Sequence, residues 1–249
     1  MSLDIVLSDI KRVGDSCYQG KANDVWETDN PEVLEIVMTD RVSAGNGEKR
    51  STIPGKGRAN CAISKAIFKR LEEAGIKTHF LGAGSEDSSI YVRKAKPIKL
   101  EVIGRFFTKG SFCRRFLLPE DIPFNKPFIE FTFKCDEEGD PPILDREVLK
   151  EGLLRNAEEI RFIRETTEKV AFILRDFFAE VGAKLIDFKI EFGRVGDDIV
   201  VIDEVSGDTV RAVDLKTGES LDKDRFRKDL ENVAWGYDVL GARVDNLNT

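Results

Sequence analysis

The stretch that most constrains the fold of this chain is residues 184–214, where charged and apolar side chains alternate. Its first half runs, in order, through Asp187, Phe188, Lys189, Ile190, Glu191 and Phe192. A period of two places the charged groups on one face of a β-strand and the large apolar groups on the other. The turn signal at residues 196–198 precedes a second apolar run, residues 199–202, which ends at Asp203. The sequence therefore predicts a β-hairpin with one charged face and one apolar face.

The register of this hairpin decides whether Glu191 and Asp203 meet. A three-residue loop at 196–198 pairs Val195 with Ile199 and sets Glu191 directly opposite Asp203, with Cβ atoms roughly 4.5–5.5 Å apart. Like charges at that distance are destabilising, and Mg²⁺ held by two carboxylates, phosphate oxygens and water would neutralise them. A loop with an even number of residues would instead turn the carboxylates to opposite faces, where water solvates both. The pattern alone leaves both interpretations open.

The two arms of the hairpin carry motifs of a known family. The segments IDFKIEFG and DEVSGDTVR resemble the signature hairpin of the SAICAR synthetases, in which D-F-K-x-E-F-G is followed by D-E-x-S-P-D-x-x-R. Gly207 stands in place of the family's proline, which shapes a turn rather than supplying chemistry. The resemblance covers most of the chain, from Tyr18 to Lys228, with the motifs in the same order.

The resemblance implies an α+β fold of two domains with an ATP cleft between them. We expect residues 1–96 to form a smaller domain, an antiparallel β-sheet with a helix and a loop that covers phosphates. Residues 97–249 are expected to form a larger α+β domain with the substrate and metal sites. The boundary is drawn at Pro97, which cannot donate a hydrogen bond within a sheet and divides residues 91–101 into two strand segments.

A segment near the amino terminus provides candidate ATP contacts. Gly20 permits a close approach of backbone to a ligand, and Lys21 can place an ammonium on a phosphate, although a Gly-Lys pair by itself is more typical of a hairpin turn. The family segment Y-x-G-K-A-K, which covers the ATP phosphates, matches at Tyr18, Gly20, Lys21 and Ala22. Asn23 replaces its second lysine.

The segment between the expected domains adds a further ATP candidate. In the family, this segment lines the adenine pocket with backbone groups. The resemblance therefore makes Lys94 and the backbone near Pro97 candidates for contact with ATP.

Residues 102–115 mix cations, a Gly-Ser turn and aromatic side chains. Read alone, they fit an RNA-binding strand or arginines that pair with surface acids. The family pattern V-x-R-N-x-x-x-G-S-x-x-x-R matches at Arg105, Gly110, Ser111 and Arg115, with Phe106 in place of asparagine. Because an arginine fork and a serine hydroxyl suit phosphate, the resemblance implies that Arg105 and Ser111 bind the 5′-phosphate of a nucleotide substrate.

The family reaction joins L-aspartate to 5-amino-4-carboxyimidazole ribonucleotide at the cost of ATP, through an acyl phosphate. It implies that Glu191 and Asp203 hold Mg²⁺ on the ATP β- and γ-phosphates. Lys189 would neutralise charge on the transferring phosphoryl group or the imidazole carboxylate, and Asp187 would hold Lys189 in place. These two are the expected catalytic residues.

Further substrate contacts follow from the same resemblance. Asp208 and Arg211 are expected at the nucleotide substrate, with Arg211 on its phosphate. The loop at residues 43–47 is a candidate for aspartate, and Lys223 or Arg227 could close over the phosphoribosyl group or form a solvated charged face. The resemblance also suggests a homodimer or a larger homo-oligomer.

Composition limits the alternatives. A net charge of −7 and a pI near 5.1 argue against a nucleic-acid partner, which normally needs a clustered basic surface. His79 is the only histidine, which excludes a multi-histidine zinc site, and its expected role is structural. The separated cysteines fit reduced side chains of a cytoplasmic protein, and neither a membrane span nor a signal peptide is expected.

Two rival functions remain open at this point. A small-molecule kinase would use the same ATP cleft and paired acids, but a ligase releases free phosphate only when aspartate or another amine is present. A catalytically silent regulator would bind ATP and Mg²⁺ without turning over any imidazole substrate.

Overall fold

The computed structural model describes residues 5–45 and 47–247, and the first half of the chain builds an antiparallel sheet. The strand order in this sheet is β1-β2-β3-β7-β6. Its members are β1 (Tyr18–Gln19), β2 (Asn23–Glu27), β3 (Val33–Met38), β6 (Phe80–Ala83) and β7 (Ser89–Arg93). A separate hairpin pairs β4 (Arg41–Ala44) with β5 (Lys49–Thr52).

The second half of the chain builds the larger sheet. Its strands are β8 (Lys96–Phe107), β9 (Pro123–Phe133), β10 (Ala183–Val195), β11 (Asp198–Ile202) and β12 (Val210–Asp214). Along one edge of β10, β12 pairs with its first half and β11 with its second half, while β8 pairs with the other edge. The long charged-and-apolar strand β10 therefore lies inside the sheet, which explains why its apolar residues Phe188, Ile190 and Phe192 are buried.

Helices cover both sheets. They are α1 (Lys56–Glu73), α2 (Ser111–Phe116), α3 (Asp145–Lys150), α4 (Ala157–Glu180), α5 (Asp224–Arg227) and α6 (Val233–Leu247). The buried stripe of α4, which includes Ile163, Val170 and Leu174, packs on the larger sheet, and α1 packs against α6. The larger hydrophobic core joins both sheets to α1, α4 and α6, from Ile36 and Ile90 to the residues of β10. The α+β class is confirmed, and the domain boundary near residue 96 stays a prediction.

Pro97 does not divide a strand, contrary to the expectation from sequence. The break between the sheets lies at Lys94 and Ala95, and β8 runs without interruption from Lys96 through Pro97. Pro97 is the second residue of β8 and faces Gly193, where the pairing of β8 with β10 shifts register. A strand start beside such an irregularity tolerates a residue without a backbone donor.

Among the helices of residues 5–45 and 47–247, none has the length and apolarity to cross a bilayer.

Asp214 ties α6 to the larger sheet through an ion pair. Arg243 Nη2 lies 2.5 Å from Asp214 Oδ2, and the backbone N–H groups of Lys216 and Thr217 donate to Oδ1 at 2.8 and 2.9 Å. The hydrogen bond from Arg243, followed by that from the Thr217 backbone, lowers the pKa of Asp214 to about 2. A group whose pKa is lowered by folding stabilises the fold above its unfolded pKa.

This lowered pKa predicts how stability changes in acid. The contribution of Asp214 is present above about pH 4 and is lost as the pH falls towards 2. We expect Asp214→Asn to flatten the acid limb of the free energy of unfolding over that window. Urea unfolding at a series of pH values measures it, and superimposable acid limbs for the two proteins would contradict the assignment.

Candidate active site

A polar cleft of about 460 Å³ opens between the two sheets. Its lining includes eleven of the twelve residues that the sequence singled out: Gly20, Lys21, Ala22, Arg105, Ser111, Asp187, Lys189, Glu191, Asp203, Asp208 and Arg211. Lys94 is the exception. Its ammonium lies outside this cleft, half exposed and 3.1 Å from Glu27 Oε1, because it follows the end of β7 at the surface.

The hairpin register differs from the prediction. Val195 pairs with Asp198 and Glu191 with Ile202, so the loop has two residues and Glu191 does not face Asp203 directly. The carboxylates nevertheless converge, because Asp203 follows the strand with a left-handed φ of 67°, which breaks the alternation of sides. Lys189 Nζ lies 2.7 Å from Glu191 Oε1 and 3.2 Å from Asp203 Oδ2. The two-residue loop agrees with the alternative interpretation, but its carboxylates do not turn to opposite faces: both acids contact the ammonium of Lys189.

Two further charged groups, Lys134 and Glu101, join Lys189, Glu191 and Asp203 in what we call the Lys189 cluster. Lys134 Nζ lies 2.7 and 2.5 Å from the two carboxylate oxygens of Glu191, and Glu101 Oε1 lies 3.3 Å from Lys189 Nζ. Burial alone would raise the pKa of Glu191, but Lys189 and Lys134 outweigh it and lower the pKa to about 2. For Asp203, burial and the neighbouring Glu191 charge together raise the pKa. The cluster therefore holds one firmly ionised carboxylate beside one that a further cation would stabilise.

The two arginines expected at the substrate phosphate form a second cluster around Asp187 of β10, the Asp187 cluster. Asp187 faces Arg105 on β8 and Arg211 on β12 in the sheet register, and its Oδ2 lies 2.6 and 2.8 Å from their guanidinium nitrogens. Arg105 is 2% exposed and also pairs with Glu130 at 2.6 Å. These arginines do pair with acids, and the acid that they share, Asp187, is buried and lines the cleft rather than lying at the surface.

The expected role of Asp187 is therefore corrected. Its carboxylate orients two arginines, while Lys189 is held by Glu191, Asp203 and Glu101. Successive same-face positions on a strand lie roughly 7 Å apart, so the cross-strand arginines are nearer to Asp187 than the next lysine is.

Asp208 sits at the centre of a buried network that joins three parts of the chain. Its Oδ2 accepts from Lys56 Nζ at 2.6 Å and Asn60 Nδ2 at 3.1 Å, both on α1, and its Oδ1 accepts from the Tyr237 hydroxyl of α6 at 2.8 Å. Burial alone would raise the pKa of Asp208, but Lys56 and Lys223 hold it below its usual value. Gly207 permits this packing, since a Cβ there would lie 2.9 Å from the Tyr237 ring.

Glu204 and Asn23 were not predicted as a pair. Glu204 accepts a hydrogen bond from Asn23 Nδ2 at 3.1 Å and one from Ser206 Oγ, and both residues line the cleft. Burial, followed by the charges of Asp208 and Asp203, raises the pKa of Glu204 to about 7. The departure of Asn23 from the family lysine was the available signal that this position needed a different partner.

Lys223 brings an unpaired cation to the cleft wall. Its side chain lines the cleft, and its ammonium makes no hydrogen bond or ion pair within the part of the chain that the structure describes. Burial lowers the pKa of Lys223, although Asp208 acts in the opposite direction. Arg227 also lines the cleft but pairs with Asp224 at 2.7 Å.

The loop expected to bind aspartate reaches the same cleft. Residues 43–45 and 47 line it, and Asn46 lies outside the described residues. This loop and Lys223 therefore share one cavity.

The acid pair fits a hard cation that other ligands complete. Within residues 5–45 and 47–247, no three acidic, cysteine or histidine side chains form a full metal site. Glu191 and Asp203 present two carboxylates to one ammonium, an arrangement that suits Mg²⁺ when phosphate oxygens and water supply the remaining ligands.

Comparisons with known proteins identify the family of this chain. A family model for SAICAR synthetase matches residues 16–243. The phosphoribosylaminoimidazole-succinocarboxamide synthase of Akkermansia muciniphila is 45% identical over 92% of this chain and 98% of its own length.

Solved structures of this family have the same overall fold. The synthase of the same name from Ehrlichia chaffeensis has a TM-score of 0.89 at 36% identity, covering 93% of this chain and 98% of the other. A SAICAR synthetase in complex with ADP has a TM-score of 0.87 at 38% identity, covering 92% and 97%. The chain therefore belongs to the SAICAR synthetase family, whose members are ATP-dependent ligases of purine biosynthesis.

Proposed function

We propose that this chain joins L-aspartate to the carboxylate of 5-amino-4-carboxyimidazole ribonucleotide, forming the succinocarboxamide, ADP and phosphate. The observation that carries the proposal is that two charged clusters lie next to each other along β10, one around Lys189 and one around Asp187. The Lys189 cluster suits a nucleotide triphosphate and its metal, and the Asp187 cluster, next along the same face, suits a phosphate monoester. Both open into one cleft that is large enough for small-molecule substrates.

The ATP end of the cleft combines the segment from Gly20 to Ala22 with the acid pair. Gly20, Lys21 and Ala22 line the cleft, and Lys21 pairs with Asp136 at 2.6 Å. Because this ion pair is half exposed, a phosphate can replace Asp136 at little cost. Glu191 and Asp203 would hold Mg²⁺, which when bound withdraws charge from the phosphoryl group during transfer.

The substrate end supplies the phosphate contacts. Arg105 and Arg211 are oriented by Asp187, so the two guanidinium groups are held before a ligand arrives. Ser111 adds a hydroxyl donor on the same cleft wall. This arrangement supports binding of the 5′-phosphate near Arg211 and of the imidazole carboxylate further along β10.

Lys189 then lies where the reacting groups meet. A carboxylate is a poor acyl donor, so ATP first converts it to an acyl phosphate, and the aspartate amine displaces phosphate. The Lys189 ammonium, kept charged because Glu191, Asp203 and Glu101 outweigh the effect of burial on its pKa, offsets negative charge on the carboxylate and the phosphoryl group. Positioning and charge stabilisation suffice, without a protein nucleophile.

The aspartate carboxylates need a cation that no protein acid already neutralises. Lys223 provides one on the wall of the cleft that residues 43–45 and 47 also line. We expect Lys223→Met to raise the KM for aspartate roughly tenfold or more, because a charge-assisted hydrogen bond contributes about 1.5–3 kcal/mol. Initial rates at varied aspartate measure this, with Lys228→Met, half exposed and outside this cleft, as the matched control. A larger effect on the KM for ATP would contradict the role.

Arg211 tests the substrate phosphate site. Arg211→Ala removes a ground-state contact, so we expect the KM for the imidazole nucleotide to rise roughly 10- to 100-fold while the KM for ATP changes little. Arg194→Ala is the control, because Arg194 lies on β10 and pairs with Glu159 outside the cleft. Equal changes for both substrates would mean that Arg211 is structural.

An assay that omits each substrate in turn tests the function as a whole. Coupled detection of ADP should require ATP, the imidazole nucleotide and an amine together. A kinase would release ADP without aspartate and give a stable phosphorylated product, and a silent regulator would bind nucleotide without releasing ADP. Either outcome would overturn the proposal.

Assembly and location are proposed on chemical grounds. An exposed apolar surface joins α2 to the nearby part of β9 and contains Phe116, Leu117, Leu118, Ile122 and Phe128. A surface of this kind favours a homodimer or a larger homo-oligomer. Sedimentation of the purified chain tests the subunit count, and a cytoplasmic location fits the free cysteines.

A further inference from the structure

The one histidine of this chain lies behind the acid pair rather than in the cleft. His79 is 3% exposed and is not among the residues that line the cleft. Its Nε2 lies 3.1 Å from the backbone carbonyl oxygen of Asp203. Since a carbonyl can only accept, Nε2 carries the proton and donates it.

The backbone of Asp203 needs such support. Its φ of 67° lies in the left-handed region, which non-glycine residues seldom adopt and which persists only where the surroundings hold it. That conformation is also what turns the Asp203 carboxylate to the side of Glu191, within 3.2 Å of Lys189 Nζ. Whatever fixes the peptide after Asp203 therefore fixes the direction of its side chain.

The segment that carries His79 is built to reach this point. Residues 77–79 run parallel to β11: the backbone N–H of Val201 donates to Lys77 at 3.0 Å, and that of His79 donates to Val201 at 2.9 Å. The imidazole ring also makes a T-shaped contact with Phe68 of α1, with ring centroids 5.4 Å apart. The imidazole is thus held by packing and donates to the residue that follows β11.

We propose that His79 is a positioning residue for Asp203, acting through a hydrogen bond to its backbone. The residue touches neither substrate nor metal. It holds one carboxylate in the direction that lets the acid pair receive a divalent cation. This role rests on the proposed function, in which Asp203 is a metal ligand.

Two substitutions of His79 separate the effect of its N–H donor from the effect of its ring volume, and a third substitution serves as the control. His79→Phe keeps a ring without the N–H, and His79→Gln places an amide donor at nearly the same reach. Thr78→Val is the matched control, because Thr78 Oγ1 donates to Glu72 at 2.7 Å, away from the cleft. Thermal unfolding of each variant checks that the fold is kept.

Binding of Mn²⁺ in the presence of saturating ADP is the direct readout, followed by the electron paramagnetic resonance signal of free Mn²⁺. Loss of a group that orients a metal ligand typically costs 10- to 100-fold in metal affinity, so we expect that loss for His79→Phe. We expect His79→Gln and Thr78→Val to bind close to the unaltered chain. Unchanged affinity in a folded His79→Phe, or an equal loss in His79→Gln, would overturn the proposal.

Two further measurements keep the outcomes distinct. Asp203→Ala must itself weaken Mn²⁺ binding; if it does not, the metal assignment fails rather than the role of His79. Nitrogen-15 spectra of the unaltered chain need no variant, and one histidine gives one assigned ring. A proton on Nδ1 instead of Nε2 would overturn the hydrogen bond directly.

Discussion

Glu191→Gln and Asp203→Ala are each expected to lower kcat by roughly 10³-fold or more, because a metal that neutralises a transferring phosphoryl group contributes several kcal/mol. Glu191→Gln keeps the shape of the side chain and removes the charge that Lys134 and Lys189 share. Lys189 keeps Asp203 and Glu101 as partners in that variant, so the fold should survive. Release of ADP at saturating substrates measures the loss.

The control for this pair is a glutamate that forms an ion pair outside the cleft. Glu159 on α4 pairs with Arg194 at 2.7 Å, and both side chains are 15% exposed. Glu159→Gln should leave kcat within a small factor of the unaltered value. Near-normal ADP release by either acid variant, with the fold confirmed by circular dichroism, would remove Glu191 and Asp203 from the mechanism.

The largest expected loss of stability comes from Asp208→Asn. The Lys56 ammonium is 0% exposed and lies 2.6 Å from Asp208, so the substitution leaves a buried charge without its partner. Breaking a buried pair in this way typically costs about 3–5 kcal/mol. For a chain of this size, that corresponds to a fall in Tm of roughly 10 °C.

An exposed ion pair of nearly the same length provides the comparison. Lys77 and Asp198 are 2.7 Å apart but 62% and 58% exposed, so Asp198→Asn should cost no more than about 1 kcal/mol. Adding Lys56→Met to Asp208→Asn should recover part of the loss, because the unpaired ammonium is gone. Equal losses for the buried and the exposed pair, measured by urea unfolding, would show that burial does not set the cost.

The alternation along β10 was enough to predict the charged face and its three members. It was not enough to predict how Asp203 joins them, because convergence depends on a left-handed residue after β11, and nothing in the local pattern announces one. The role of Asp187 was misjudged for a related reason. Its partners, Arg105 and Arg211, lie on strands distant in sequence, and only the strand order brings them opposite it.

Nothing in the sequence indicated Lys134, because its contact also joins strands that are distant along the chain. Lys134 directly follows β9. Its side chain reaches Glu191 of β10 across β8, the strand that lies between β9 and β10 in the sheet. A lone lysine after an amphipathic strand carries no signal of that contact. Lys94 shows the opposite error. Its position between the sheets suggested that it lies in the cleft, but its side chain pairs with Glu27 at the surface.

The contact between Tyr237 and Asp208 has a consequence for the order in which the enzyme becomes competent. The ribosome synthesises α6 after both sheets and α1. A nascent chain whose strands have all left the ribosome therefore still lacks Tyr237, whose hydroxyl donates to Asp208. Closure of the network around Asp208 is therefore a late event in synthesis. We expect partly translated chains, however well their sheets have formed, to acquire the finished cleft only when this helix docks.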